Sequence, residues 1–226
     1  MRRFFMGKAM ISEKFKTVFV HNPKAAGTSV KLLLQEQGND WKCNDWHHNI
    51  EILSKKTDRL WENYYSFGIC RNPYSRFVSA FLYNVKKIRN LGDYHWDKYP
   101  TAYTILSKWI GSNRHNIDNF QDFVLGPDFD SIFDKGWPIH FKPQYQFLTG
   151  IRKDVQLNNI SRFEDISTDT RLTIKLANNE IELSLPILNN NKPYRYQDFY
   201  NVEEVMSKVR DKYILDFHNF DYDTDL

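Results

Sequence analysis

Three features of the 226-residue sequence predict an α/β fold in which a central, mostly parallel sheet is flanked by helices. Short β-branched and aromatic runs recur along the chain. Each is followed within a few residues by helix-start chemistry, and the helical stretches that come next carry their apolar residues on one stripe. Strands alternating with helices favour parallel pairing, because a crossover helix returns the chain to run in the same direction. The length suits one domain over residues 1–226, and no internal repeat, low-complexity tract or Pro/Gly/Ser linker divides it.

The first strand is Thr17-Val18-Phe19-Val20, short and apolar enough to be buried. It ends in the tight loop His21 to Ser29, and Val30 to Gln37 reads as a helix with Gly38 suited to its C-terminal cap. Tyr65 to Cys70 is the second strand. Behind it, Asn72 suits an N-cap and Pro73 the first helical position. The helix that follows places Phe77, Val78, Phe81, Leu82 and Val85 on one stripe, with Ser75, Ser79 and Tyr83 on a different face. A third strand is expected at Asn159–Phe163, then an N-cap at Ser167-Thr168 and a helix to about Asn178. Val202 to Phe217 is again amphipathic. The stretch 91–137 is polar, aromatic and helical in pieces.

Composition narrows the class. Hydrophobic residues make up 41% and charged residues 26%, and mean hydropathy is −0.62. That is enough apolar material for a core, with no long greasy run, which excludes disorder and a membrane-embedded chain. Lysine and arginine exceed aspartate and glutamate by 31 − 28 = 3. So small an excess does not call for a nucleic-acid partner, although a local basic pocket for an anion stays open. Two cysteines, Cys43 and Cys70, are too few for a disulfide scaffold or a Cys-based zinc site. The start, Met1 to Lys8, is basic but lacks an apolar stretch of signal-peptide length, so a soluble cytoplasmic protein is expected; a luminal piece of a longer chain would read the same.

Two loops carry chemistry. In the first, Gly27 lets backbone approach a ligand, and Thr28 and Ser29 offer hydroxyls and amides at a helix N-terminus, where phosphate or sulfate binds readily. Lys24 adds a cation. A Walker A loop would have its lysine directly before the hydroxyl, whereas here it stands four residues ahead of Thr28. An ordinary helix cap with a surface lysine would look alike. The second is Arg71-Asn72-Pro73-Tyr74-Ser75-Arg76-Phe77-Val78-Ser79-Ala80-Phe81. An arginine at the carboxyl end of a parallel strand points to the crevice where ligands bind in open α/β sheets. Its planar fork can donate two hydrogen bonds to one oxyanion, and Ser79 lies about two helical turns on. An arginine paired with a carboxylate, and a serine filling a helix contact, is the alternative. A nucleotide with phosphates at both ends would suit the two loops together.

The motif Pro23-Lys24-Ala25-Ala26-Gly27-Thr28-Ser29 resembles the 5′-phosphosulfate-binding loop of sulfotransferases that use 3′-phosphoadenosine 5′-phosphosulfate (PAPS). The Arg71–Phe81 stretch is similar to their 3′-phosphate motif, in the version of the carbohydrate or Golgi-type branch, "sulfotransferase family 2". His140-Phe141-Lys142-Pro143-Gln144, Arg162-Phe163-Glu164, and a tail from Leu185-Pro186 through Asn189 and Tyr213 to Asp216, Phe220 and Tyr222 resemble weaker pieces of the same branch. The family usually has glycine where this chain has Ala26, and alanine restricts positive φ, so a slightly different loop shape is expected. The resemblance implies a P-loop-like sulfotransferase fold and PAPS as donor. It implies Lys24, Ala25, Ala26, Gly27, Thr28 and Ser29 around the 5′ end, Arg71 and Ser79 at the 3′-phosphate, and Arg195 in a late basic loop over the nucleotide.

Sulfuryl transfer needs a base for the acceptor hydroxyl and a cation for the leaving phosphate. Histidine suits the first task because its pKa lies near neutrality. The resemblance places the base after the family's second strand, and Trp46-His47-His48-Asn49-Ile50 falls there, between the two phosphate motifs. His47 aligns better and His48 is the fallback. His140 is a rival and His21 reads as structural. With no HExxH or Cys/His cluster, no metal is expected. A hydroxyl-bearing acceptor, a carbohydrate by resemblance, is the expected partner, with Trp96, Tyr99, Tyr103 and Trp109 either lining its cleft or packing a core. The competing readings are a nucleotide kinase and a catalytically inactive nucleotide-binding module.

Overall fold

The computed structural model describes residues 10–38, 41, 47–57, 60–89, 100–109, 115–134, 139–152, 154–169, 171–176, 179–184 and 195–226. In chain order the elements are β1 (Ile11–Ser12), β2 (Thr17–Val20), α1 (Gly27–Glu36), α2 (Ile50–Lys56), β3 (Tyr65–Cys70), α3 (Pro73–Arg89), α4 (Pro100–Trp109), α5 (Asn116–Leu125), α6 (Asp128–Asp134), α7 (Tyr145–Leu148), β4 (Asn159–Arg162), α8 (Phe163–Asp169), β5 (Arg171–Leu176), β6 (Asn179–Ser184) and α9 (Glu203–Asn219). They form two compact units, Met1–Arg71 with Gln144–Asn190, and Asn72–Pro143 with Asn191–Leu226.

The first unit holds a four-stranded sheet in the order β1-β2-β3-β4. β1 runs antiparallel to β2, while β2–β3 and β3–β4 are parallel, in registers that pair Val20 with Gly68 and Gly68 with Ile160. Strand alternation then sorts the side chains. Phe19, Phe67 and Ile69 pack with Val30, Leu33 and Leu34 of α1 and Ile166 of α8. On the opposite face Gly68 admits Leu148 of α7, since a Cβ there would stand 2.5 Å from the leucine Cδ2. α2 lies against β2. The central sheet is therefore flanked by helices, as expected.

Two expectations about element boundaries are corrected. α1 begins at Gly27, three residues before Val30, because Ala26 takes a left-handed conformation (φ 56°, ψ 10°) that turns the chain straight into the helix. The helix expected from Ser167-Thr168 to about Asn178 is absent. α8 starts at once after β4 and ends at Asp169, and β5 and β6 form an antiparallel hairpin over Arg171–Ser184. The physical reason lies in the period of two at Leu172, Ile174 and Leu176 and at Ile181 and Leu183, which the register matches Leu172 to Leu183 and Ile174 to Ile181.

The second unit has an aromatic core. Phe77 of α3 meets Phe120 of α5, Phe129 of α6, Phe141 and Tyr213 of α9 at centroid distances of 5.4, 5.9, 5.3 and 5.5 Å. α4, α5 and α6 are the helical pieces expected of the middle of the chain. α3 starts as predicted, with the Asn72 side chain accepting from Ser75 N at 3.1 Å and Pro73 in the first turn. Arg76, 1% exposed, is drawn fully into this core. Its guanidinium donates to His140 O and Lys142 O and faces Asp216 Oδ2 at 3.9 Å.

Candidate active site

In the first unit the parallel strands β2 and β3 are neighbours, so the loop His21–Ala26 and the residue Arg71 leave the sheet side by side at its carboxyl end. Lys24 (φ 67°) and Ala26 (φ 56°) both take positive φ, which costs non-glycine residues on the order of 1–3 kcal/mol each and persists only where surroundings enforce it. Ala26 thus takes the left-handed conformation despite its side chain. Val30 N is the first amide to bond back along the helix, to Ala26 O at 3.1 Å. The amides of Gly27, Thr28 and Ser29 therefore lie in the turn that an α-helix leaves without intrahelical acceptors, and Thr28 is exposed.

Arg71 is tied to this loop. Its Nη1 donates to Lys24 O at 3.0 Å, and its guanidinium lies over the Phe163 ring, 4.5 Å from the centroid. The buried Gln144 accepts from Asn22 Nδ2 (2.9 Å) and from Arg71 N (3.1 Å), and donates to Arg71 O (2.7 Å). Sequence reasoning missed Asn22 altogether, and Gln144 entered only as one letter of a weak motif. The discoverable signal was a pair of amides, one directly after a strand and one in Lys142-Pro143-Gln144, where buried backbone needs partners.

Two histidines, His21 and His47, meet beside the loop. The His21 ring lies directly against Gly27, where a Cβ would stand 1.8 Å from its Nε2. The His47 ring is 4.2 Å from it, centroid to centroid, and His47 Nδ1 is 3.0 Å from His21 O. A carbonyl oxygen only accepts, so Nδ1 carries the proton and Nε2 is the nitrogen with the lone pair in neutral His47. Burial, with the positive neighbours His47, Lys31 and Lys24, holds His21 well below the usual histidine range. Burial and then Lys56 lower His48. His48 Nδ1 is buried with no hydrogen-bond partner among the described residues.

The remaining expected residues lie in the second unit. Ser79 is on α3, half-buried. Arg195 caps the turn Tyr196–Tyr200 and is exposed, with its Nη2 3.4 Å from Asp198 Oδ1. His140 is buried beside Tyr83, and its carbonyl supports Arg76. Trp109 Nε1 donates to Asp128 Oδ2 at 3.1 Å, and its ring packs over Gly126, a core role. Trp46, Trp96, Tyr99 and the stretch 185–194 fall outside the described residues. Among the described residues no group of His, Cys, Asp and Glu side chains is placed to hold a metal ion, and no helix is long and apolar enough to cross a membrane.

Residues 7–223 match the Sulfotransferase family. The chain belongs to that family. The sulfotransferase is 25% identical over 256 residues to carbohydrate sulfotransferase 10 of Danio rerio, covering 98% of this chain and 68% of the relative. It is 22% identical over 205 residues to carbohydrate sulfotransferase 10 of Xenopus laevis, covering 82% of this chain and 57% of the relative. No solved structure matches this sulfotransferase.

Proposed function

We propose that this sulfotransferase moves a sulfuryl group from PAPS to a hydroxyl of a carbohydrate acceptor, on a P-loop-like sulfotransferase fold. The observation that carries the reading is the pairing of two anion-suited elements at neighbouring strand ends, with Arg71 Nη1 bonded to Lys24 O. The chemistry of the donor set fits a nucleotide with separated phosphates: helix-start amides and a lysine on one loop, a guanidinium on the next. The carbohydrate class rests on the names of the two relatives. A family match running from residue 7 to 223, across both units, supports one sulfotransferase domain.

When bound, PAPS supplies an electrophilic sulfuryl group. Gly27, Thr28 and Ser29 would hold its 5′ end through their amides and hydroxyls, and Lys24 would balance charge growing on the leaving phosphate. Arg71 would hold the 3′-phosphate, a role that the resemblance also gives to Ser79. Arg195, which the resemblance gives to a late basic loop for the nucleotide, has only an exposed ion pair with Asp198 to give up, of the kind worth about 0–1 kcal/mol. His47 Nε2 would take the acceptor proton, with its ring fixed by the Nδ1–H bond to His21 O.

The test is thermal shift with adenosine 3′,5′-bisphosphate, followed by transfer from labelled PAPS to a panel of sugars. The bisphosphate should raise the melting temperature through binding to the native state, and ATP with magnesium should do so less. Stronger stabilisation by ATP with magnesium would turn the reading toward a nucleotide kinase, and nucleotide binding with no transfer to any acceptor would turn it toward an inactive binding module.

A further inference from the structure

We propose that Gln144 and Asn22 form a buried amide clamp that positions Arg71, so that this sulfotransferase recognises the 3′-phosphate through a glutamine 73 residues further along the chain. The inference rests on the reading of Arg71 as the 3′-phosphate ligand.

Its basis is a hydrogen-bonding problem that the fold creates at Arg71. The ladder between β3 and β4 ends with Cys70 opposite Arg162, so Arg71 is the first residue past the sheet. It is nevertheless 6% exposed, and its backbone N–H and C=O need partners that the sheet no longer supplies. Gln144, with no exposed surface, supplies both: its Oε1 accepts from Arg71 N and its Nε2 donates to Arg71 O. One side chain thereby acts as a neighbouring strand would. The second lone pair of the same Oε1 is used by Asn22 Nδ2, which also donates to Ile69 O at 2.9 Å. Asn22 stands two residues before Lys24, whose carbonyl receives Arg71 Nη1. The Arg71 backbone is thus fixed to the first loop through this buried amide pair, and its guanidinium through Lys24 O. Gln144 and Asn22 are positioning residues.

A merely structural glutamine and a positioning one differ in what they do to discrimination between nucleotides. Calorimetry would compare adenosine 3′,5′-bisphosphate with adenosine 5′-monophosphate on wild type, Gln144→Met, Arg71→Ala and the double variant. Wild type should prefer the bisphosphate. Gln144→Met should lose about 10- to 100-fold of that preference, the scale of one hydrogen bond to a charged group. Added to Arg71→Ala it should remove nothing more, because the two act on one contact. Should Gln144→Met fail to fold, Gln144→Glu carries the comparison: it keeps both accepting contacts, loses the donor to Arg71 O, and should show a partial loss. A wild-type protein without preference overturns the donor-binding reading and the clamp together. A wild type that discriminates while the Gln144 variants discriminate equally overturns the clamp alone, as does a loss that adds in full to that of Arg71→Ala.

Discussion

Substituting Gly27 by alanine tests whether the glycine that opens α1 is there for a ligand or for a histidine. The added Cβ would stand 1.8 Å from His21 Nε2 and 1.9 Å from Cδ2, where ordinary contact begins at 3.4 Å. The ring must therefore withdraw by roughly 1.6 Å, a large displacement in a packed interior. It has little room, because Phe19 stacks at 6.0 Å and His47 stands at 4.2 Å, centroid to centroid. Overpacking of this kind costs about 1–3 kcal/mol. At about 2–4 °C per kcal/mol for a chain of this size, the melting temperature should fall by roughly 2–12 °C. The decisive comparison is a double-mutant cycle followed by differential scanning calorimetry without ligand. His21→Ala alone removes a packed ring and destabilises, while in the double variant the new methyl occupies space the ring has left. The double variant should be less destabilised than the sum of the single ones by about 0.5–3 kcal/mol. Additive losses, or a Gly27→Ala protein as stable as wild type that fails only in nucleotide binding, would refute the steric reasoning and return the glycine to the ligand.

Three further outcomes are expected. His47→Ala should lose about 10²- to 10⁴-fold in sulfation rate, the usual worth of a general base, with adenosine 3′,5′-bisphosphate affinity retained and His48→Ala milder; the reverse ranking in an acceptor assay moves the base to His48. Because the folded-state pKa of His21 is depressed, the unfolded chain binds the extra proton first, so stability present above about pH 6.5 should be lost as pH falls below it, by up to about 1.4 kcal/mol per pH unit until the folded pKa is passed. Urea titrations across pH 7 to 5 should show this slope, with His48 adding to it, and His21→Gln should flatten it. Asp216→Ala should cost about 3–5 kcal/mol in the same urea assay, because it leaves the Arg76 charge buried beside an empty space; a loss under 1 kcal/mol would mean that the carbonyls of His140 and Lys142 satisfy Arg76 by themselves.

β2, β3 and the start of α3 were legible to the residue, because their signals are local: a β-branched or aromatic run, then Asn72 capping and Pro73 opening a helix. The positions of Lys24 and Gly27 in the turn from β2 into α1, and of Arg71 just past β3, were legible for the same reason. The β5–β6 hairpin was misread because a capping signal at Ser167-Thr168 outweighed the alternation at Leu172, Ile174 and Leu176 that followed it. Ala26 shows tertiary context overriding local preference, since its positive φ is imposed against the bias of its own side chain. The partners of Asn22 and Gln144, and the ring of His21 over Gly27, were not legible from local pattern. They lie 122 residues away, 73 residues away and across a tight loop, and neither hydrogen bonds nor ring contacts at such separations leave a periodicity. The motif arginine Arg76 sits between the proposed binding residues Arg71 and Ser79 in sequence, yet its surroundings show a core role.

The placement of β3 also sets an order of events during synthesis. Thr17 of β2 pairs with Tyr65, whereas Phe67 of β3 pairs on its other side with Asn159, about twice as far along the chain. Doubling a loop adds only about 0.6 kcal/mol to its closure, so the difference matters little to final stability. It matters in time. A ribosome adding roughly 5–20 residues per second finishes β3 about 4–18 s before it reaches β4. Through that interval a nascent β2–β3 pair presents a bare strand edge carrying Phe67 and Ile69, a template for pairing with another chain. The same parallel sheet that brings the His21–Ala26 loop beside Arg71 therefore leaves the half-made protein with an unpaired strand edge until β4 is complete.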